Sequence, residues 1–393
     1  MRRMQKTDFG KKTLLPLVCG CLFVFGFVTG GVQLVLADIA GEFKMQYTAM
    51  GSIVTMYFIA TLCMPILFGH IGDKFGKKKV LALAFVFFLS GCLLAMFAQN
   101  AAGLYIGMFV MGAGVSVGEC MGTAALSDSH PERSEKNLNL SQSFFSGGSV
   151  VSPFIIMALM GAGFSWRIVY ISSAVIFLFF IPLLKMSAFP VRPPEGGHTL
   201  ERQSVFSLLK SKILIVLVIC LMIYVGIESG VAYFADSFFT VELGQQAFSA
   251  AAISLYWLAV TLSRILFGVI NVNAQKVLAA SFGLAAVVLV FLAISTNAPL
   301  ALALCIVVGF LYGPIWPMLV AQAAKRFTAS SGTVTSIMMI GGGAGGALVP
   351  VLMGLVADNA DLRWSMGLLV VLAVVAFFCC MLVFRKKQTA ATA

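Results

Sequence analysis

Apolar residues run along this chain in long stretches that short polar connections separate. Twelve stretches approach or exceed 20 residues, the length at which an α-helix crosses the hydrocarbon core of a bilayer. They lie at about 14–37, 49–68, 80–98, 102–126, 139–161, 167–184, 213–237, 248–270, 277–295, 299–321, 331–356 and 365–384. The pattern predicts an all-α membrane protein with twelve transmembrane helices, called spans 1 to 12 in chain order.

The composition excludes the soluble classes. Of the 393 residues 60% are apolar and 10% are charged, whereas soluble domains carry about 25% charged residues. All nine cysteines lie in apolar stretches and the three histidines lie in polar connections, so we expect neither disulfides nor a metal site. The sequence contains no nucleotide-binding or hydrolase motif, which predicts a protein that is not an enzyme and has no cofactor.

The basic residues predict the orientation in the membrane. Of the 26 lysines and arginines, 22 fall on the side that carries both termini, and only Lys44, Arg167 and Arg363 fall on the other side. An excess of positive charge marks the cytoplasmic face. We therefore expect a multi-pass protein of the bacterial inner membrane with both termini in the cytoplasm. The net charge of +11 then reflects topology and predicts no nucleic-acid partner.

One polar segment is long enough to divide the chain. Residues 185–212 hold three prolines and two glycines among charges, which predicts a cytoplasmic linker. The expected domains are an N-terminal six-helix half at 1–184 and a C-terminal six-helix half at 213–393.

The two halves share sequence patterns at corresponding places. The stretch from Tyr57 to Gly69 in span 2 matches the stretch from Tyr256 to Gly268 in span 8 at a constant offset of 199 residues. A pair of glycines in span 5, at 147 and 148, likewise has a counterpart in span 11, at 345 and 346. These matches predict two parallel repeats with a solute site at their interface.

Few ionisable groups lie inside the spans, and each is a candidate for function. Glu119, Glu228 and Arg264 would each cost about 2.5 to 3.5 kcal/mol if they faced lipid. An ion pair that only holds helices together is the alternative interpretation. Counted from the cytoplasmic ends, Glu119, Arg264 and Gln142 lie about 10, 9 and 5 Å deep and could meet. Glu228 lies about 22 Å deep on the same count, so we expect it not to pair with Arg264.

The connection after span 2 carries a recognisable pattern. Gly69, Asp73, Gly76 and Lys77 stand in the arrangement Gly-x-x-x-Asp-basic-x-Gly-basic-basic. This arrangement resembles the signature of the major facilitator superfamily. The resemblance implies a twelve-helix transporter fold in which these four residues form a conformational latch of the outward-facing state.

Spans 4 and 5 resemble one branch of that superfamily. Gly118-Glu119 and the later run from Leu138 through Asn139 and Gln142 to Phe144 are similar to the fucose-proton symporter family. The resemblance implies that Glu119 couples proton and sugar and that Gln142 binds the sugar, with Asn139 in the same motif. Gln33 lies in the span 1 stretch where the fucose carriers hold an aspartate, and Phe145 replaces a sugar-binding asparagine of the family.

Aromatic side chains with a polar tip complete the candidate site. Tyr256, Trp257 and Trp316 each offer a flat apolar face and a hydrogen-bonding group, which suits a sugar ring, although core packing explains them equally well. Trp166 and Trp364 each begin a helix on the far side, which is typical of interfacial anchors.

Together these features predict a monomeric secondary transporter that imports a small polar solute, with a sugar or sugar derivative expected, by proton symport. The proton-motive force would drive it, and sodium stays open as the coupling ion. An exporter of lipophilic compounds or an organic-anion carrier of the same fold is the alternative. The positive charge of Arg264 leaves an anionic substrate as an alternative. Span 5 has Ser152-Pro153 in place of the Gly-Pro-x-x-Gly-Gly signature of many exporters, which disfavours the exporter without excluding it.

Overall fold

The computed structural model describes residues 2–129, 134–189, 208, 210–270, 272–327 and 331–389. Within these residues every regular element is helical, and twelve helical segments are long and apolar enough to cross a membrane. The predicted all-α architecture with twelve spans is therefore confirmed.

Most of the helices extend beyond at least one end of their predicted apolar stretch. Spans 1 to 6 are Arg2–Glu42, Tyr47–Phe75, Lys77–Met96, Ala101–Ser129, Ser134–Gly161 and the pair Ile168–Leu178 with Ile181–Met186. Spans 7 to 12 are Lys212–Ser237, Ser249–Val269, Ala274–Ile294, the pair Ala298–Tyr312 with Ile315–Arg326, Ser331–Asn359 and Leu362–Thr389. Span 7 continues through a π-helical turn at Phe238–Glu242, and a 3₁₀ turn at Gln246–Phe248 leads into span 8.

Polar side chains and glycine mark where several helices begin. The side chains of Ser211, Asn273 and Asn297 accept hydrogen bonds from the first turns of spans 7, 9 and 10, which satisfies backbone N–H groups that have no partner inside the helix. Between spans 2 and 3 the chain turns at Gly76, whose φ of 94° lies in the region that favours glycine. Glycine at position 76 therefore allows this turn.

The chain forms two compact units. The first comprises Met1–Phe43 and Met56–Gly196, and the second comprises Lys44–Thr55 and Gly197–Ala393. Residues 44–55, which the sequence places in the first half, thus group with the second unit. Span 2 crosses from one unit to the other without interruption, because its helix runs from Tyr47 to Phe75.

Each unit contains a pair of closely packed helices at corresponding places in the chain. In the first unit an added Cβ on Gly148 of span 5 would lie 2.0 Å from the carbonyl oxygen of Phe23 in span 1. In the second unit an added Cβ on Gly345 of span 11 would lie 1.8 Å from the carbonyl oxygen of Met222 in span 7. Only glycine permits such an approach, so the matched glycines have the same packing role in both units.

Candidate functional site

The first unit brings two of the predicted site residues together. The side-chain amide of Gln142 in span 5 donates a hydrogen bond of 2.8 Å to Oε1 of Glu119 in span 4. Both residues are half-buried. Among the described residues no lysine, arginine or histidine forms an ion pair with Glu119. The carboxyl group is therefore held by a neutral donor.

Further polar residues of the first unit lie in spans 1, 2 and 5. Tyr57 of span 2 is buried, and both Thr29 of span 1 and Glu119 of span 4 lie near its phenol. Gln33 of span 1 is buried at 1% exposure. The predicted site residue Asn139 lies in the span 5 helix, and its side chain is outside the described part of the chain. Thr29 is an addition that hydropathy alone could not select, whereas Tyr57 is another span tyrosine with the flat face and polar tip that suit a sugar ring.

The second unit holds a different polar cluster. The phenol of Tyr224 donates to Oε1 of Glu228 at 2.5 Å, and Nη2 of Arg264 lies 3.3 Å from the same oxygen. Arg264 also donates to the Tyr224 hydroxyl at 3.2 Å and to the carbonyl oxygen of Gly313 at 3.2 Å. These side chains are only partly buried, with 26% of Arg264 and 15% of Glu228 exposed. The charges of Glu228 and Arg264 thus compensate each other.

The expectation that Glu228 and Arg264 lie too far apart to pair is wrong. That estimate counted residues from the cytoplasmic ends, but the candidate span 7 has 31 residues and span 8 has 22. Glu228 precedes the end of the π turn at Glu242 by 14 residues, and Arg264 follows the start of span 8 at Ser249 by 15. Counted from that side, both lie about 21 to 22 Å deep.

The proposed meeting of Arg264 with Glu119 and Gln142 is also corrected. All hydrogen bonds described for Arg264 go to Tyr224, Glu228 and Gly313, which belong to its own unit. The physical reason is the length of span 7, which brings Glu228 to the level of Arg264 and gives the guanidinium a nearby carboxylate.

Buried aromatic rings enclose the second cluster. The rings of Tyr224 and Tyr312 stack at 5.6 Å, and Tyr256 meets Trp257 edge to face at 5.8 Å. The hydroxyl groups of Tyr256 and Tyr312 are buried and have no hydrogen-bond partner among the described residues. Trp316, half-buried, follows Gly313 by about one turn. Buried hydroxyls normally have partners, so this region has spare hydrogen-bonding capacity.

The loop pattern after span 2 is visible in part. Gly69 and Asp73 lie in the helix of span 2, and their side-chain surroundings are outside the described part of the chain. Lys77 forms an ion pair with Asp128 at the end of span 4. The ammonium of the neighbouring Lys78 donates to the carbonyl oxygens of Lys185 and Ser187 at 2.9 and 2.7 Å. This side of the first unit is thus tied together by basic residues, and the latch role of Asp73 stays a prediction.

Matching ion pairs tie each unit at the opposite end of its helices. Arg167 pairs with Glu42 at 2.7 Å and donates to the carbonyl oxygens of Met96 and Ala98. In the second unit Arg363 pairs with Glu242 at 2.6 Å. The hydrogen bonds that Arg167 donates to the Glu42 carboxylate raise the pKa of the guanidinium.

The second unit repeats the backbone contacts as well, because Arg363 donates to the carbonyl oxygens of Ala293 and Ser295. An arginine near the last carbonyls of a helix also interacts favourably with the helix dipole. Trp166 donates to Glu42 and is only 4% exposed, which corrects its interpretation as a membrane anchor, whereas Trp364 is 69% exposed.

The described residues contain no group of three or more His, Cys, Asp or Glu side chains that could hold a metal ion. Their cysteines are free thiols, and the sulfur atoms of Cys220 and Cys380 lie 3.7 Å apart.

Comparison with known proteins identifies relatives along the whole chain. A family model described as Major Facilitator Superfamily matches residues 18–329 and 240–393. A TsgA homologue of Buchnera aphidicola subsp. Schizaphis graminum is 21% identical over 362 residues, which cover 90% of this chain and 92% of that protein. The chloramphenicol resistance protein CraA of Acinetobacter baumannii is 27% identical over 135 residues, which cover 34% of this chain and 33% of that protein.

Solved structures share the fold. The crystal structure of the nucleoside transporter NupG superposes with a TM-score of 0.76 at 17% identity, and the match covers 95% of this chain and 98% of that one. A bacterial homologue of the human lysosomal transporter Spinster gives 0.75 at 13% identity, covering 95% of this chain and 96% of that one.

Proposed function

Since this chain belongs to the major facilitator superfamily and is a multi-pass secondary transporter rather than an enzyme, we propose that it imports a sugar or sugar derivative together with a proton. The proposed setting is the bacterial inner membrane, with both termini in the cytoplasm and the proton-motive force as the driving gradient. The protein would work as a monomer.

The observation that carries the proposal is the contact between Glu119 and Gln142. A carboxyl group in a low-dielectric setting is favoured in its neutral form unless a cation compensates it. Glu119 is held at 2.8 Å by an amide and has no ion-pair partner among the described residues. It is therefore suited to take up a proton on one side of the membrane and to release it on the other.

The same contact suits a hydroxyl-bearing solute. An amide offers both a donor and an acceptor, and a carboxyl group offers acceptors, so the pair can exchange its mutual hydrogen bond for bonds to a sugar hydroxyl. Neighbouring hydroxyls of Thr29 and Tyr57 supply further partners. This chemistry supports the likeness of spans 4 and 5 to the fucose-proton symporter family.

Charge compensation in the second unit argues against an organic-anion carrier. An anion bound at Arg264 would have to displace Glu228, which lies 3.3 Å from the guanidinium. A neutral solute needs no such displacement. The partial similarity to CraA, which covers 34% of this chain, is the observation that favours export of lipophilic compounds as the second candidate.

Transport by the purified chain in proteoliposomes tests the proposal. Labelled neutral sugars, nucleosides, small carboxylic acids and chloramphenicol would be offered with and without an inward proton gradient. We expect accumulation of a neutral sugar or nucleoside that depends on the gradient. Glu119→Gln should abolish this accumulation and preserve solute exchange between equal pools, because the amide mimics a fixed protonated acid.

Asp361→Asn provides the matched control, since Asp361 is an exposed carboxylate whose only described contact caps span 12. This variant should transport like the unmodified protein. Gradient-driven uptake that persists in Glu119→Gln would contradict coupling through Glu119, and accumulation of only carboxylic acids or chloramphenicol would overturn the proposed solute class.

A further inference from the structure

A carboxylate at the end of span 11 binds the beginning of span 2. Oδ1 of Asp358 accepts a hydrogen bond of 2.7 Å from the backbone N–H of Tyr47. Its Oδ2 accepts from the backbone N–H of Thr48 at 2.8 Å and from the Thr48 hydroxyl at 2.5 Å. Asp358 thus caps a helix to which it is not adjacent in sequence, and its negative charge faces the positive end of that helix.

Close backbone packing extends this contact along both helices. An added Cβ on Gly354 would lie 2.3 Å from the carbonyl oxygen of Tyr47, and one on Gly51 would lie 2.4 Å from that of Pro350. The Thr55 hydroxyl donates to the carbonyl oxygen of Ala347 at 2.5 Å. Residues 47–55 and 347–358 therefore form one continuous seam, all of it inside the second unit.

The seam ends where the compact units divide. Thr55 is the last residue of span 2 in the second unit, and Met56 begins the part in the first unit. The helix has no break there, because Tyr47–Phe75 is continuous. Bending it would cost backbone hydrogen bonds. Residues 47–55 are therefore expected to leave residues 347–358 by a movement of the span 2 helix as a whole rather than by a bend after Thr55.

We infer that Asp358 is a latch on the side of the membrane opposite the termini. While it caps span 2, the seam is closed, and when it releases Tyr47 and Thr48, the first turns of span 2 can leave span 11. The latch would act in alternating access whatever the solute, so it rests on the transporter fold and not on the proposed sugar or proton. The latch consists of the first turn of span 2 and the Asp358 carboxylate that accepts its hydrogen bonds.

The test measures access to the seam without any solute. Met50 is buried at 1% exposure and faces Ser237, so Met50→Cys reports opening by its rate of reaction with a membrane-impermeant maleimide. The labelled peptide would be identified by mass spectrometry, which leaves the nine native cysteines in place. Adding Asp358→Ala should raise this rate about fivefold, the effect of losing one helix cap.

Asp361→Ala is the matched control, because Asp361 also caps a helix start, through the Trp364 N–H at 2.9 Å. It should leave the labelling rate unchanged. Thr48→Val removes one of the three hydrogen bonds to Asp358 and should raise the labelling rate by a smaller factor. It replaces Asp358→Ala in the test if that variant fails to fold. Backbone hydrogen exchange should rise together across 47–55 and 347–358 in the Asp358 variant.

Two results would overturn the latch. One is equal labelling of Met50→Cys with Asp358→Ala and with Asp361→Ala. The other is an increase in hydrogen exchange confined to Tyr47 and Thr48, which would show a local cap that frays without opening the seam. Since neither readout involves transport, failure of the latch and failure of the proposed solute or coupling are distinguishable.

Discussion

Glu119 and Glu228 are both carboxyl groups within the spans, yet their partners differ. Glu119 accepts a hydrogen bond from an amide, whereas Glu228 meets a phenol and a guanidinium. A compensated carboxylate keeps its charge, and an uncompensated one can exchange a proton. The difference in partners favours Glu119 over Glu228 as the group for the proposed proton exchange.

The two carboxyl groups are not repeat counterparts. At the offset of 199 residues that aligns Tyr57 with Tyr256, Glu228 aligns with Thr29. Gly112 packs against the carbonyl oxygen of Tyr57, and Gly309 packs in the same way against that of Tyr256. The offset of 197 residues between these glycines aligns Glu119 with Trp316. The repeats thus share a helical framework on which different polar groups were placed.

Removing the arginine should have the largest effect on the unfolding free energy. Arg264→Ala leaves Glu228 in a partly buried site without its cation, and we expect a loss of about 3 kcal/mol in unfolding free energy. Thermal unfolding monitored by circular dichroism would show the lower midpoint.

The double variant Arg264→Ala with Glu228→Gln is the control, because it removes both charges. It should recover more than half of the loss. Glu119→Gln should cost only about 1 kcal/mol, since one neutral hydrogen bond is altered. Equal losses of unfolding free energy for Arg264→Ala and Glu119→Gln would contradict the conclusion that Glu228 is compensated by a cation and Glu119 is not.

A smaller effect should follow from removing the amide partner. Gln142→Leu takes away the donor that lies 2.8 Å from Glu119, and a hydrogen bond to such a group is worth about 1.5 kcal/mol. We expect about a tenfold rise in the solute concentration for half-maximal exchange. Gln246→Leu, an exposed glutamine in the 3₁₀ turn before span 8, is the control. An unchanged solute concentration for half-maximal exchange in Gln142→Leu would show that Gln142 does not bind the solute.

Much of the fold follows from the sequence, because bilayer thickness fixes the length of each apolar stretch. The contact of Glu119 with Gln142 was also predictable, since both positions lie at comparable depths near the same helix ends. The pairing of Glu228 with Arg264 was not, because hydropathy gives no sign that span 7 extends through a π turn to Glu242.

Contacts made by helix ends were the hardest to predict. The seam between residues 47–55 and 347–358 depends on backbone N–H groups and on glycines that touch carbonyl oxygens, and neither leaves a hydropathy signal. The ion pairs of Arg167 and Arg363 involve residues that the sequence analysis used only to count charge. Arg167 and Arg363 lie at equivalent positions at the starts of spans 6 and 12, and this repetition could have indicated that they form matching ion pairs.

Infrared difference spectroscopy of the carboxyl groups would show directly whether Glu119 carries the exchanged proton. In the purified protein at neutral pH, the carbonyl stretch of a protonated carboxylic acid should change when the transported solute is added. We expect this band to be lost in Glu119→Gln and to persist in Glu228→Gln. A band that survives in Glu119→Gln and disappears in Glu228→Gln would contradict the assignment of the proton to Glu119.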